Sequence, residues 1–270
     1  MKVLKLSITG VVLITSFFLA VSCESDSIPD EPIELEGIVE QLKANGLENI
    51  VIPHRIDDFE RMKMVQQMGF TAWELDLVFY TDSSKSYFSV KHNQDSTQAP
   101  TLKEYLAKVD FDVQKKLWLD IKNINTTNFT EVKLQLDSLD VLYKLKDVAI
   151  IESDNRTVQM ALLSAENWHT AYYLPYWNIV KWIDNNDTIA QLNYANELSQ
   201  QLQDQKSSSI SFDVLCYPFV KGYLEKKISK NIVYHCWDLS LDLGDTNFIE
   251  KYLEQHYAAD SRIKTVLIPI

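Results

Sequence analysis

The stretches Thr71-Ala72-Trp73-Glu74-Leu75-Asp76-Leu77-Val78-Phe79 and Lys116-Leu117-Trp118-Leu119-Asp120-Ile121-Lys122 decide the fold. Each is a nearly unbroken apolar run interrupted by carboxylates, as expected of a strand covered on both faces of a parallel sheet. Similar runs lie at Ile50–His54, Tyr87–His92, Val148–Ser153, Thr170–Tyr176, Ser209–Leu215 and Asn231–Trp237. Segments of helical period separate them: Asp58–Met68, Leu102–Val109, Phe129–Leu145, Arg156–Glu166, Thr188–Gln203, Pro218–Ile228 and Phe248–His256. Asp57 is placed to cap the first of these helices, with Glu60 reaching back and Gly69 after the last turn. Strand and helix alternating about eight times predict an α/β chain folded as a single-domain (β/α)8 barrel of the TIM type. A ninth apolar run, Lys264–Ile270, is one too many. Either it closes the base of the barrel or one of the other eight is not a barrel strand.

Polar residues gather where those runs end. His54-Arg55, Glu74 and Asp76, His92, Asp120 with Lys122, and Glu152-Ser153 all fall there. In a (β/α) barrel that end carries the chemistry. Glu74 and Asp76 are two residues apart, so on a strand their carboxylates share a face. Such a pair in a barrel mouth is costly without a positive partner, and a divalent cation supplies one. Pairing with lysines at the rim is the bland reading of the same two residues. Asp120 offers a third oxygen, and all-oxygen ligation favours Ca²⁺ or Mg²⁺ over zinc or copper. Glu152 is a further candidate ligand, whereas Trp118 is expected to point away from Asp120 into packing. Tyr173, Tyr176, Trp177 and Trp237 read as core or rim aromatics, some of which could line a cleft. A glycosidase that uses Glu74 with Asp76 is disfavoured, because same-face neighbours lie too close to flank a sugar ring at about 5 Å or more.

The chain of 270 residues carries a net charge of −12, and 46% of it is hydrophobic. That acidity argues against nucleic-acid binding. The beginning reads as an export signal: Lys2 and Lys5, an apolar stretch from Ile8 to Val21, then Ala20-Val21-Ser22 before Cys23. The stretch is too short to span a membrane core of about 30 Å comfortably. Expected boundaries are therefore a lipoprotein signal over residues 1–22, an acidic tether over 23–36 starting at a lipidated Cys23, and the barrel over 37–270. The expected location is the bacterial cell envelope, with the membrane engaged through the lipid on Cys23. Cys216 and Cys236 remain, either paired or buried as free thiols.

The order His54-Arg55, Glu74-Leu75-Asp76, His92-Asn93, Pro100-Thr101-Leu102 and Asp120-Ile121-Lys122 resembles the glycerophosphodiester phosphodiesterase family, part of a wider group that includes phosphatidylinositol-specific phospholipases C. Ser153 and Trp237 resemble, more weakly, the family's serine after the fifth strand and its late tryptophan. The firm part of the likeness is Ile50–Lys122. Two departures stand out: Ile56 replaces the family's glycine and the first loop is shorter, and Asp120 is one methylene shorter than the usual glutamate.

The resemblance implies a phosphoric diester hydrolase, or a lyase releasing a cyclic phosphate, that acts on a small or lipid-derived phosphodiester. It assigns Glu74, Asp76 and Asp120 to the cation and His54 and His92 to general acid/base catalysis. Arg55 and Lys122 would neutralise the phosphoryl oxygens. The competing reading from another class is a catalytically silent barrel that binds a glycan or a protein at the envelope.

Overall fold

In a computed structural model, the described residues form one curled sheet of nine strands. The residues described are 37–81, 85–92, 99–154 and 158–270, so Cys23, its leader and Asn93 lie outside them. The strands are β1 (Val51–Pro53), β2 (Ala72–Thr81), β3 (Ser86–Val90), β4 (Lys116–Ile121), β5 (Ala149–Glu152), β6 (His169–Tyr173), β7 (Ser209–Asp213), β8 (Val233–Trp237) and β9 (Ile263–Ile268). Their order across the sheet is β1-β9-β8-β7-β6-β5-β4-β2-β3. All neighbours are parallel except β2 and β3, which form an antiparallel pair.

This corrects the strand count. The run Tyr87–His92 is a hairpin partner hung on β2, with Leu77 opposite Val90. The ninth run is a full member of the parallel set, since β9 pairs with both β1 and β8. Among the described residues the parallel set is therefore eight strands, β1, β2 and β4 to β9. Apolar content alone cannot separate a hairpin strand from a barrel strand, because both are covered. Among the described residues no ladder joins β1 to β2. Ile56 N, after β1, donates to Glu74 O at 3.0 Å, and Ile52 of β1 packs with Ala72 of β2, Trp118 of β4 and Leu267 of β9.

Helices cover the outside. Phe59–Gln67 is capped by Asp58, whose carboxylate accepts from Arg61 N at 2.7 Å, so the cap sits one residue beyond the expected Asp57. Gly69 follows at φ 89°, the left-handed conformation that a glycine permits after a last turn. Leu102–Leu106 begins with a full capping box, Thr101 with Glu104. Three described helices escape the periodicity reading: Ile38–Ala44, the short Leu145–Val148 and Tyr176–Asp184, the last of which follows β6. Residues 218–228 make only short helical turns instead of one helix.

The strand interiors are covered on both sides. In β2, Trp73, Leu75 and Leu77 are fully buried, while Glu74 and Asp76 alternate with them at 1% exposure. Cys216 and Cys236 are buried free thiols. No helix among the described residues is long and apolar enough to cross a membrane.

Candidate active site

Parallel pairing is in register across β2, β4 and β5, which sets Asp76 beside Asp120 and Asp120 beside Glu152. Three carboxylates thus stand in one row on adjacent strands, with Glu74 one step below Asp76 on the same face. Like charges side by side on a sheet repel. Lys122, just past the end of β4, offsets part of this: its ammonium is 2.5 Å from Asp76 Oδ1 and makes a short hydrogen bond to Asp120 Oδ2.

The loop after β1 is locked onto β2. Arg55 has φ 58°, an unfavourable region for a residue with a Cβ. That turn aims Arg55 N at Glu74 Oε2, 2.6 Å away. The Arg55 guanidinium Nε lies 3.3 Å from Asp76 Oδ2, and its carbonyl accepts from Arg61 at 3.2 Å. Asp57, expected as a helix cap, instead reaches across to β2. Its carboxylate accepts from Asp76 N at 2.8 Å and so braces β2 at Asp76. The only sequence signal for this is an acid three residues after His54 in a shortened loop.

The histidines attach to different carboxylates. His92 Nδ1 is 2.7 Å from Asp76 Oδ2, leaving its other ring nitrogen free of that contact. His54 Nε2 is 3.7 Å from Glu74 Oε2. Burial drives the His54 pKa down to about 3; the Asp76 charge opposes this, while Arg55, Lys122 and His92 reinforce it. His54 is thus neutral near pH 7 in the cation-free protein.

The carboxylates divide. Burial pushes Asp76 up, but the His92 hydrogen bond and the Lys122 charge hold it well below its usual range. Burial and Asp76 raise Glu74 far above its usual range. Asp120 is raised by burial and by Asp76 against the pull of Lys122. Glu152 is raised strongly by burial and by Asp120, and Asp57 by burial and Asp76. Lys122 keeps its proton well above the ordinary lysine range, because Asp120, Asp76 and Glu74 outweigh its burial.

Glu74, Asp76 and Asp120 each present an oxygen, all within 4.8 Å of one another. A buried all-oxygen set with excess negative charge suits a hard divalent cation. The residues present therefore fit the ion that the sequence implies.

A cavity of about 180 Å³ opens beside this set. His54, Glu74, Asp120, Lys122 and Glu152 supply its polar lining, and Trp118, Tyr173, Trp237, Leu239 and Leu267 the apolar part. Trp118 lines the cavity together with Asp120, contrary to the expectation that it would point away; residues i and i+2 of a strand share a face. Its ring lies edge-on to buried His235, with centroids 5.6 Å apart. Tyr173 stacks on Trp237 at 5.5 Å, and Trp237 Nε1 donates to Asp213 at 3.1 Å. Trp177 instead faces outward at 81% exposure.

No family model matches the sequence, and no curated protein does. Solved structures do match in shape. A glycerophosphodiester phosphodiesterase from Parabacteroides distasonis superposes with a TM-score of 0.51 at 10% identity, over 82% of this chain and 92% of that one. The chain has the glycerophosphodiester phosphodiesterase fold. A candidate glycerophosphoryl diester phosphodiesterase from Silicibacter pomeroyi gives 0.54 at 12% identity, over 81% of this chain and 89% of that one. The glycerophosphodiester phosphodiesterase from Agrobacterium tumefaciens gives 0.50 at 13% identity, over 82% and 96%. With so few identities, the likeness lies in backbone topology.

Proposed function

We propose that the chain is a divergent, metal-dependent phosphodiesterase of the glycerophosphodiester phosphodiesterase family, its curled sheet closing as a (β/α)8 barrel with β1 beside β2. One observation carries this reading: the three oxygens of Glu74, Asp76 and Asp120 converge within 4.8 Å, with His54, His92, Arg55 and Lys122 in contact with those same carboxylates. Glu74, Asp76 and Asp120 would hold Ca²⁺ or Mg²⁺. When bound, the ion would polarise a phosphoryl oxygen.

The chain's own residues do the rest. Neutral His54 at the cavity wall accepts a proton from the attacking hydroxyl. His92, oriented by Asp76 through Nδ1, donates the proton on its other nitrogen to the leaving oxygen, and the reverse transfers, with water as the second nucleophile, restore both histidines. Arg55 and Lys122 face the remaining phosphoryl oxygens and neutralise the charge that builds there. Asp57 and the Arg55 turn hold Asp76 and Glu74 in place. Substrates are small or lipid-derived phosphodiesters, hydrolysed outright or opened through a cyclic phosphate. Export and lipidation at Cys23 would place the enzyme in the bacterial envelope on its membrane anchor.

The test is turnover of a phosphodiester panel, glycerophosphodiesters included, by the purified protein with Ca²⁺, with Mg²⁺ and with chelator. The expected result is activity that chelation abolishes and that falls about 10²- to 10⁴-fold in His54→Ala and in His92→Ala. Activity that survives chelation would overturn the mechanism. Absence of both turnover and cation binding would return the chain to the envelope binding-module reading.

A further inference from the structure

His54 and His92 stand on pieces of chain that the strand ladder does not bring together. His54 follows β1 and opens the loop of Arg55, Ile56 and Asp57, whereas His92 lies two residues past β3. Those two strands occupy opposite ends of the strand order. An acid/base pair must nevertheless stay fixed about one phosphorus atom, since a displacement of about 1 Å can cost about 100-fold in rate.

One buried side chain joins the two pieces. Val90 N donates to Pro100 O at 2.9 Å, Ser89 bridges to Thr101, and the Thr101–Glu104 capping box starts the helix Leu102–Leu106 at that point. One turn further on, Tyr105 is fully buried, and its hydroxyl donates to Ile56 O at 2.7 Å. The acceptor is the centre of the His54 loop. Around it lie the contacts with β2: Arg55 N to Glu74 Oε2 at 2.6 Å, Ile56 N to Glu74 O at 3.0 Å, and Asp76 N to the Asp57 carboxylate at 2.8 Å.

The hydroxyl is fitted to this place. Burial, and then the nearby Asp57, push the phenol well above its ordinary range, so it keeps its proton and donates. The Trp73 indole N–H approaches the same oxygen, and the Phe59 ring stacks on the Tyr105 ring with centroids 5.9 Å apart. Both contacts fix where the hydroxyl points. Ile56 is fully buried, so its carbonyl needs a donor from the protein. Arg55 beside it holds φ 58°, and such a turn persists only where the surroundings over-determine it. Tyr105 does not line the cavity. Its influence must pass through the loop.

We propose that Tyr105 is a positioning residue for the acid/base pair, its hydroxyl clamping the loop of His54 and Arg55 to the helix built on the His92 hairpin. The proposal rests on the phosphodiesterase reading.

Tyr105→Phe keeps the ring and removes the clamp. Tyr172→Phe is the matched control, because it removes a buried hydroxyl that donates to Gln201 Oε1 at 2.7 Å, away from the His54 loop. Steady-state kinetics on glycerophosphocholine and bis(4-nitrophenyl) phosphate, with saturating Ca²⁺ or Mg²⁺, should show kcat lowered about 10- to 100-fold in Tyr105→Phe with KM within 3-fold, and both constants kept in Tyr172→Phe. 4-Aminophenylalanine at position 105 restores an N–H donor and should return kcat to within 3-fold of wild type. If Tyr105→Phe does not fold, Phe59→Leu loosens the ring, keeps the hydroxyl, and should lower kcat about 3- to 10-fold.

Amide hydrogen exchange of the cation-free protein needs no turnover. The Arg55, Ile56 and Asp76 amides should exchange about 5- to 100-fold faster in Tyr105→Phe, the consequence of a buried carbonyl left without its donor, and at the wild-type rate in Tyr172→Phe. Unchanged kcat in Tyr105→Phe, equal losses in the two Phe variants, or unchanged exchange at those amides would overturn the proposal. If neither diester is turned over, the phosphodiesterase reading fails first, and the exchange rates alone then decide whether Tyr105 positions the loop.

Discussion

The acidic row can be tested through stability. Glu74, Asp76 and Asp120 place oxygens within 4.8 Å of one another, and two of the three residues are 1% exposed. A cation that binds only the native arrangement stabilises it by about 2.7 kcal/mol at 100 times its Kd. In a domain of this size about 1 kcal/mol moves Tm by roughly 2–4 °C, so saturating Ca²⁺ or Mg²⁺ should raise Tm by about 5–11 °C. Asp120→Asn removes one charged ligand. Two unit charges about 4 Å apart interact by about 4 kcal/mol at an effective dielectric of 20, and a divalent ion doubles this to about 8 kcal/mol. If only a third survives desolvation, the loss is about 2.7 kcal/mol, or about 100-fold in Kd. The same ion concentration then equals the variant's Kd, and the gain shrinks to about 0.4 kcal/mol, a shift of about 1–2 °C. Scanning calorimetry of both proteins in chelator and across an ion titration reads this directly. A wild-type Tm indifferent to the ion, or an undiminished shift in Asp120→Asn, would refute the assignment of these carboxylates.

Other consequences concern pH and the brace. Because Glu74 is raised far above its usual range, cation binding must expel its proton, so affinity should fall with decreasing pH from above the ordinary carboxylate range; isothermal titration in buffers of different ionisation heat would show the proton release, and a pH-independent affinity would contradict it. His235 is buried and held down at about 3 from 6.5, by burial first and then by Lys116 and His169. A depressed histidine contributes stability that is present above pH 6.5 and lost as pH falls toward 3, about 2 kcal/mol by pH 5. Urea melts of wild type and His235→Phe should therefore converge at low pH, and parallel curves would rule the linkage out. Asp57→Ala strips the acceptor from Asp76 N and should cost about 1–3 kcal/mol of stability and lower kcat, while Asp57→Asn retains both in large part; equal melts for Ala and Asn would dismiss the brace.

Much of the site was legible because strand-end chemistry follows the period of two. Glu74 and Asp76 had to share a face once β2 was recognised, and their oxygens converge with that of Asp120 within 4.8 Å. The same rule, applied wrongly to Trp118, hid a cavity wall. Asp57 was illegible for a different reason: its partner, Asp76 N, lies 19 residues away, and local helix-start chemistry offers an acid in that position a nearer and plausible job. The hairpin at Tyr87–His92 read as a barrel strand because an apolar run reports burial, not the direction of its neighbour.

By itself, then, the sequence determined the number and spacing of covered segments and the order in which His54, Glu74, Asp76, His92, Asp120 and Lys122 meet the strand ends, since these follow from local periodicity. Only the tertiary structure decided register. Parallel pairing without offset between β2, β4 and β5 set Asp76, Asp120 and Glu152 in one row, and a slip of a single residue would have turned one of them to the opposite face. Register also left Lys122 on two of the three, Asp76 and Asp120. Such outcomes depend on hydrogen bonds between residues far apart in the chain, which no local pattern encodes.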